Sequence, residues 1–459
     1  MSMIMVRRAS VLVFAVVFPF LVGLVPAARA QEAAQPLQAQ ENVQPVEQAV
    51  GAPAAEINRL HFTLRLVEEY NDNIHEERHN PQADFITRVI PGIWWDYRAP
   101  RLDWYLNYHF EYVHYARNTQ ADELNHYLNT KATARLIDQF LFLEITDTFD
   151  RRYLDQSQGL SEPGNPDQPN AQAPTTSSSF QNLFTNATDE NLFTVSPYFR
   201  WHLTPQLGLT TGYRYLNKYY SAPALIDWER HEVYATANYV LTQQSSLQAG
   251  ATASRTFPVR GEYYDRLTVY VGFRYDFGDR SHILMRVGAS EFQAHGETAY
   301  WSPYWYAELV HRFGRNTATI TAGITYESDP TLGASEDRFV RGRLQRGYDR
   351  LTLGAYGGYS QTWNNYLNER TTSQADAGIE GTYQHTGRLS SHANVGATWY
   401  YDSTRERPCR LYANVGLRYA MNYGIWTTFD YKFISNRLEL SGGDATTTNI
   451  FILTLNKGW

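Results

Sequence analysis

Apolar and polar residues alternate one for one in run after run of 10–16 residues between Asn58 and Trp459. Leu102, Trp104, Leu106, Tyr108 and Phe110 share one side of such a run; Asp103, Tyr105, Asn107, His109 and Glu111 share the other. Leu267, Val269, Val271, Phe273, Tyr275 and Phe277 oppose Arg266, Thr268, Tyr270, Gly272, Arg274 and Asp276 in the same way. So do Leu411, Ala413, Val415, Leu417, Tyr419 and Met421 against Arg410, Tyr412, Asn414, Gly416 and Arg418. Successive side chains of a strand point to opposite faces, so a period of two means β-structure. Soluble strands average about five or six residues. Runs twice that long match the roughly 9–11 residues that cross a bilayer at a tilt. In lipid each unpaired backbone group costs several kcal/mol, so a sheet of such strands has to close on itself. The expected fold is all-β, a single transmembrane antiparallel β-barrel.

Short turns are read at Ala99-Pro100-Arg101, Asp138-Gln139, Thr204-Pro205-Gln206, Thr242-Gln243-Gln244, Gly278-Asp279-Arg280, Gly314-Arg315-Asn316, Thr386-Gly387 and Asn422-Tyr423. Longer connections are read near 75–82, 118–122, 156–187, 221–227, 257–262, 294–298, 328–336, 364–370, 403–408 and 438–445. Short periplasmic turns and longer outer loops are the usual asymmetry of outer-membrane barrels. The pattern gives 20 strands, with 18 as the alternative, and register is hardest to read through 336–350. A soluble propeller would instead show short strands and a shared motif about every 40 residues, and no such repeat is present.

Composition agrees. Aromatics make up 15% of the chain and charged residues 19%, with 34 Tyr and 11 Trp. Mean hydropathy is negative, as it is when half of each strand faces water. No stretch after residue 30 approaches the roughly 18 apolar residues of a spanning helix. Net charge is −7, with no basic run of five or more, so nucleic acid is not an expected partner. The one cysteine, Cys409, excludes an intrachain disulfide and a Cys-based metal site. No cofactor is implied, and no arrangement with nucleophile or acid–base spacing stands out.

The N-terminus carries export signals. Arg7 and Arg8 precede an apolar run from Val11 to Val25, and Ala28-Arg29-Ala30 is a small-x-small cleavage site before Gln31. No cysteine follows the apolar run, which argues against a lipoprotein. The expected organisation is a signal peptide at 1–30, a flexible periplasmic leader at 31–57 rich in Gln, Ala, Pro and Glu, and an outer-membrane barrel at 58–459. Near the C-terminus Phe451, Leu453, Leu455 and Trp459 share a face. This resembles the terminal-aromatic signal read by the barrel-assembly machinery, with Trp459 as the reader's contact; Lys457 departs from it. Outer-membrane lipid and lipopolysaccharide of a Gram-negative cell are the expected surroundings.

Twenty strands about 4.8 Å apart and tilted about 40° give a diameter on the order of 40 Å. Side chains cannot fill that width, so the lumen is a water channel or is narrowed by inward-folded loops. Turning the polar face inward lines it with Arg65, Arg88, Lys131, Arg135, Arg200, Arg214, Arg266, Arg274, Arg286, Arg312, Arg418 and Lys432. The acids there are Asp96, Asp103, Glu111, Glu144, Asp150, Glu232, Asp276, Glu308, Asp376, Glu380 and Asp430. A strongly selective ion pore would show one dominant sign; these nearly balance, and the plain alternative is that they pair across strands and stiffen the wall. Trp94, Tyr105, Tyr198, Tyr234, Tyr270, Tyr306, Tyr356, Tyr400 and Tyr412 fall on the same face. Their rings could stack on pyranose sugars and their hydroxyls bond to them, or they could sit as girdle residues at the water interface. The long loop at 156–187 would either fold inward as a constriction or stand outside. His75-Glu76-Glu77-Arg78-His79 matches H-E-x-x-H, a zinc motif when on a helix. Here it follows a strand and runs into Pro81, so a solvated loop is expected.

The opening of the barrel is familiar in wording. Glu69-Tyr70-Asn71-Asp72-Asn73-Ile74, Ala83-Asp84-Phe85-Ile86-Thr87-Arg88-Val89-Ile90-Pro91-Gly92 and Ala99-Pro100-Arg101-Leu102-Asp103-Trp104-Tyr105-Leu106-Asn107-Tyr108 resemble the first hairpins of the PEP-CTERM-system-associated, or exopolysaccharide-associated, outer-membrane β-barrel proteins. The resemblance is best over 58–155 and looser beyond. It implies an exopolysaccharide locus and a pore exporting polymer with a periplasmic partner; no assigned functional residues come with it. The alternatives are a general or substrate-specific porin for small solutes, and a structural barrel of an outer-membrane complex.

Overall fold

The computed structural model describes residues 57–459 apart from 78, 154–186, 224, 279, 330–332, 368, 403–408 and 438–444. The expected signal peptide, the leader up to residue 56 and nearly all of the loop at 156–187 lie outside the described residues. Twenty strands follow one another: β1 (Ile57–Asn71), β2 (Asp84–Ala99), β3 (Leu102–Tyr115), β4 (Glu123–Ile137), β5 (Leu141–Tyr153), β6 (Ala187–His202) and β7 (Leu207–Tyr220). Next come β8 (Trp228–Thr242), β9 (Ser245–Pro258), β10 (Tyr264–Asp276), β11 (His282–Ala294), β12 (Tyr300–Phe313), β13 (Asn316–Asp329) and β14 (Gly333–Gly347). The last are β15 (Leu351–Asn364), β16 (Glu369–Gln384), β17 (Leu389–Asp402), β18 (Cys409–Ala420), β19 (Ile425–Arg437) and β20 (Ala445–Gly458).

Each strand pairs antiparallel with its chain neighbours, and β1 pairs with β20 from Thr63↔Gly458 to Asn71↔Ile450. That last pairing closes the ring and leaves no edge. The count of 20 is the first of the two expected. A turn at 348–350, not read from the sequence, supplies the missing connection, and β14 starts at Gly333 inside what reads as loop. Short turns gather at one end of the barrel and the longer connections at the other, here called the turn end and the loop end. Gly314 adopts a φ of 61° in the two-residue turn between β12 and β13, the left-handed conformation such hairpins demand.

The two faces differ as lipid and lumen would require. Val271 is 59% exposed on the outside, with Val415, Leu417, Phe451 and Leu453 also exposed. Side chains two or three strands apart can meet only on the concave side of a ring. Ser196 of β6 meets Tyr234 of β8 at 3.3 Å, Arg286 of β11 meets Gln248 of β9 at 3.3 Å, and His392 of β17 meets Asp430 of β19 at 2.7 Å. Tyr356 of β15 reaches Tyr412 of β18. These contacts identify the inner face, and it is the polar one. It also carries an aliphatic patch, Val67, Ile90, Ile434, Ile450 and Ile452, where alternation alone leads one to expect polar residues.

Candidate functional site

The inner wall is the candidate site, and its tyrosines are set into it. Tyr234 stands opposite Gly212, Tyr270 opposite Gly250, Tyr306 opposite Gly323, Tyr356 opposite Gly378 and Tyr412 opposite Gly396. A Cβ built on Gly250 would sit 2.3 Å from the Tyr270 ring, and one on Gly212 would sit 2.6 Å from Tyr234. Each glycine thus leaves a floor on which the partner ring lies along the wall. Arginines take up other ring faces. The Arg214 guanidinium is 5.0 Å from the Tyr234 centroid, and Arg286 is 5.3 Å from Tyr270 and 5.9 Å from Tyr306. Arg200 lies 4.6 Å from Phe142, which stacks on Tyr198 at 5.1 Å. Tyr198 and Tyr234 are only 8% and 7% exposed. The expectation that these two rings offer open faces to sugars is therefore corrected: glycine backbone, neighbouring rings and guanidinium groups cover them. Trp94 is engaged between His61 at 5.1 Å and Tyr105 at 6.2 Å, and Arg418 lies 4.6 Å from Trp426. The side chain of Tyr400 lies outside the described residues.

The charges pair along the wall. Arg88 is hydrogen-bonded to Glu69 and lies 3.3 Å from Glu111. Arg135 pairs with Asp103 at 2.6 Å, Lys131 with Glu144 at 2.9 Å, Arg214 with Glu232 at 2.8 Å and Arg274 with Asp276 at 2.8 Å. Glu308 accepts from His282 at 2.7 Å, and Arg343 pairs with Glu380. Asp430, opposite His392, is almost fully buried. Such pairs neutralise each other locally and fix side-chain positions more than they add stability. The residues expected at the lumen are strung round the whole ring and meet only in small groups. Among the described residues no three His, Cys, Asp or Glu side chains converge to hold a metal.

Two elements at the loop end fold inward, and the sequence announces neither. The connection 72–83 between β1 and β2 seats Ile74 against Ile86, Val113 and Tyr115. Beyond it Glu76 reaches Arg410 of β18 at 3.5 Å and accepts from Asn436 of β19, crossing inside β20. The H-E-x-x-H segment is thus no helix, and its first half is packed on the wall where a wholly solvated loop was expected. On the far side, β12 and β13 pair only up to Tyr306↔Gly323 although both strands run on towards the loop end. Past that point the β13–β14 hairpin leans over the wall. Tyr326 Oη lies 2.7 Å from Ser302 Oγ and donates to Pro303 O at 3.0 Å, and Ala334 packs with Tyr264, Phe292 and Ala294. Tyr300 Oη donates to Asn365 O in the β15–β16 connection at 3.0 Å. The signal in the sequence was faint: an isolated Ile74 in a polar loop, and outward positions of β14 that are not apolar.

The fold and its wall define a class, a transmembrane β-barrel with an ion-paired lining. No protein-family model matches the chain, and no curated protein matches it. Among solved structures, a mutant of the ferric enterobactin receptor PfeA from Pseudomonas aeruginosa is similar over 87% of this chain and 80% of its own, at 9% identity and a TM-score of 0.48. OpdO of Pseudomonas aeruginosa is similar over 88% and 97%, at 8% identity and 0.41, and OccAB4 of Acinetobacter baumannii over 89% and 100%, at 11% and 0.41. Likeness at this level says nothing about cargo.

Proposed function

We propose that this protein is a pore of the Gram-negative outer membrane through which exopolysaccharide leaves the cell. The observation that carries the reading is the lining: a closed ring of 20 strands whose inner charges are largely consumed by pairs within the wall. A wall of that kind favours neither ion sign. It still presents hydroxyl, amide and carboxylate edges that exchange hydrogen bonds with a polar chain sliding past. The outer apolar belt supports a bilayer location, since lipid is the medium in which such a belt is not a liability. The resemblance of 58–155 to exopolysaccharide-associated barrels supports the cargo, and synthesis with a periplasmic partner would drive it. Trp459, whose N–H donates to Phe62 O at 3.0 Å beside the closing seam, supports delivery by the assembly machinery.

The inward-folded connection 72–83 and the β13–β14 hairpin favour a second reading, a porin whose mouth is narrowed for small solutes. A deletion strain separates the two. Loss of surface polymer by carbohydrate stain and secreted-sugar assay, with polymer held in the periplasm and export restored by the intact gene, supports export. Unchanged surface polymer refutes it. In planar bilayers the purified barrel is expected to discriminate weakly between potassium and chloride; strong selectivity for either would refute the neutral lining.

A further inference from the structure

One buried cation departs from the pairing. Among the described residues Arg266, near the loop end of β10, has no carboxylate partner, and its two Nη nitrogens, shut off from solvent, donate no hydrogen bond. Its guanidinium is 4.2 Å from the Tyr326 ring centroid and 5.3 Å from that of Phe292. Arg230 of β8 comes alongside: it donates to Tyr264 Oη at 3.5 Å, two residues from Arg266, and the two positive charges repel. A cation stripped of water and given no anion is costly. Chains keep such groups where function supplies the counter-charge. A guanidinium is a planar fork that matches a carboxylate through two parallel bonds.

We propose that Arg266, with Arg230 beside it, is a binding site for a carboxylate-bearing sugar, a uronate, roofed by the β13–β14 hairpin. The carboxylate follows from the Arg266 guanidinium; that it belongs to a sugar rests on the export reading above. On its β12 side the roof is free of strand pairing beyond Gly323, while β14 stays paired with β15 as far as Ser335↔Asn364. Its latch is the Tyr326 hydroxyl on Ser302 and Pro303.

The test uses the intact barrel in detergent, titrated with D-glucuronate, D-glucose and inorganic phosphate and followed by tryptophan fluorescence and calorimetry. Glucuronate and glucose differ only in a carboxylate for a hydroxymethyl group. Glucuronate is expected to bind and glucose not, with affinity falling about tenfold or more in Arg266→Gln, the loss of one charge-assisted pair. Arg266→Lys keeps the charge without the fork and should fall between; it carries the test if Arg266→Gln does not fold. Tyr326→Phe loosens the roof and leaves the cation, so binding should be faster and no weaker. Unchanged glucuronate binding in Arg266→Gln, equal binding of glucose, or a preference for phosphate would overturn the proposal. No export is measured, so glucuronate binding through Arg266 in a barrel whose deletion leaves surface polymer intact would sink the export reading alone.

Discussion

Replacing Arg88 by methionine is expected to be the most damaging single change on the inner wall near β1–β3. The Arg88, Glu69 and Glu111 side chains are 3%, 5% and 4% exposed, and Arg88 is the cation between the two acids. Methionine has a similar length and fills much of the same space. A volume-conserving swap of this kind costs less than about 1.5 kcal/mol when packing alone is at stake. Stranding two buried carboxylates is another matter: breaking a buried pair costs about 3–5 kcal/mol. Lys432 is close enough to Glu69 to attract it and would offset a part, so the lower end, about 3 kcal/mol, is expected. The assay is urea unfolding of the barrel in lipid vesicles, followed by tryptophan fluorescence. Adding Glu69→Gln and Glu111→Gln to Arg88→Met removes the stranded charges and should restore stability to within about 1 kcal/mol of the unsubstituted protein. A loss under about 1 kcal/mol in Arg88→Met, or no recovery in the triple variant, would refute the account, because packing would then be the whole effect.

Gly250→Ala should destabilise by about 1–3 kcal/mol as the Tyr270 ring is lifted off its floor, and Tyr270→Leu in the same chain should relieve it. Gly288→Ala should be worse, since its Cβ would sit 1.9 Å from the backbone oxygen of Val269 and no side-chain rotation makes room; equal losses in the two unfolding curves would contradict this. At the loop end, Asp122 is held below the usual carboxylate range by hydrogen bonds from His114 and Tyr112 and from the Tyr115 N–H. A depressed carboxylate contributes fully above its unfolded pKa and loses that contribution as pH falls through the lowered value. The protection of the Tyr115 amide against exchange, relative to an unstructured peptide at the same pH, should therefore hold through neutrality and fall only in acid, below the ordinary carboxylate range. Loss of that protection already at neutral pH would refute the assignment to Asp122.

Strand identity was legible because lipid demands an apolar residue at every second position, as at Val269, Val271 and Phe273. The exception is β14. Its upper half leans into the barrel, so Glu336 and Arg338 stand where outward residues would be apolar, and the test that worked elsewhere had no phase to read. The turn at 348–350 was hidden for a related reason: Arg346-Gly347-Tyr348-Asp349-Arg350 is charged on both sides of the bend. The aliphatic patch at Val67 and Ile90 was masked by its own neighbours, since Leu66 and Val89 make the run apolar on both faces. The ring–glycine pairs depend on cross-strand register, which no single strand contains. That is why the inward tyrosines could be named from the sequence but their covered faces could not.

Arg88 and Arg266 make the strongest case that the lining is differentiated by function. Both point inward, both lie in the loop-end half of their strands, and both guanidinium groups are withdrawn from solvent. If burial of arginine served only to stiffen the wall, both would be expected to hold acids. Arg88 has two, while among the described residues Arg266 has none and is roofed by a hairpin that has parted from β12. The wall around β1–β3 thus holds counter-charges for its buried arginine within itself. Under the hairpin the anion proposed above would supply the missing counter-charge, and the end of the β12–β13 ladder at Gly323 leaves that side of the hairpin unpaired while β14 stays joined to β15.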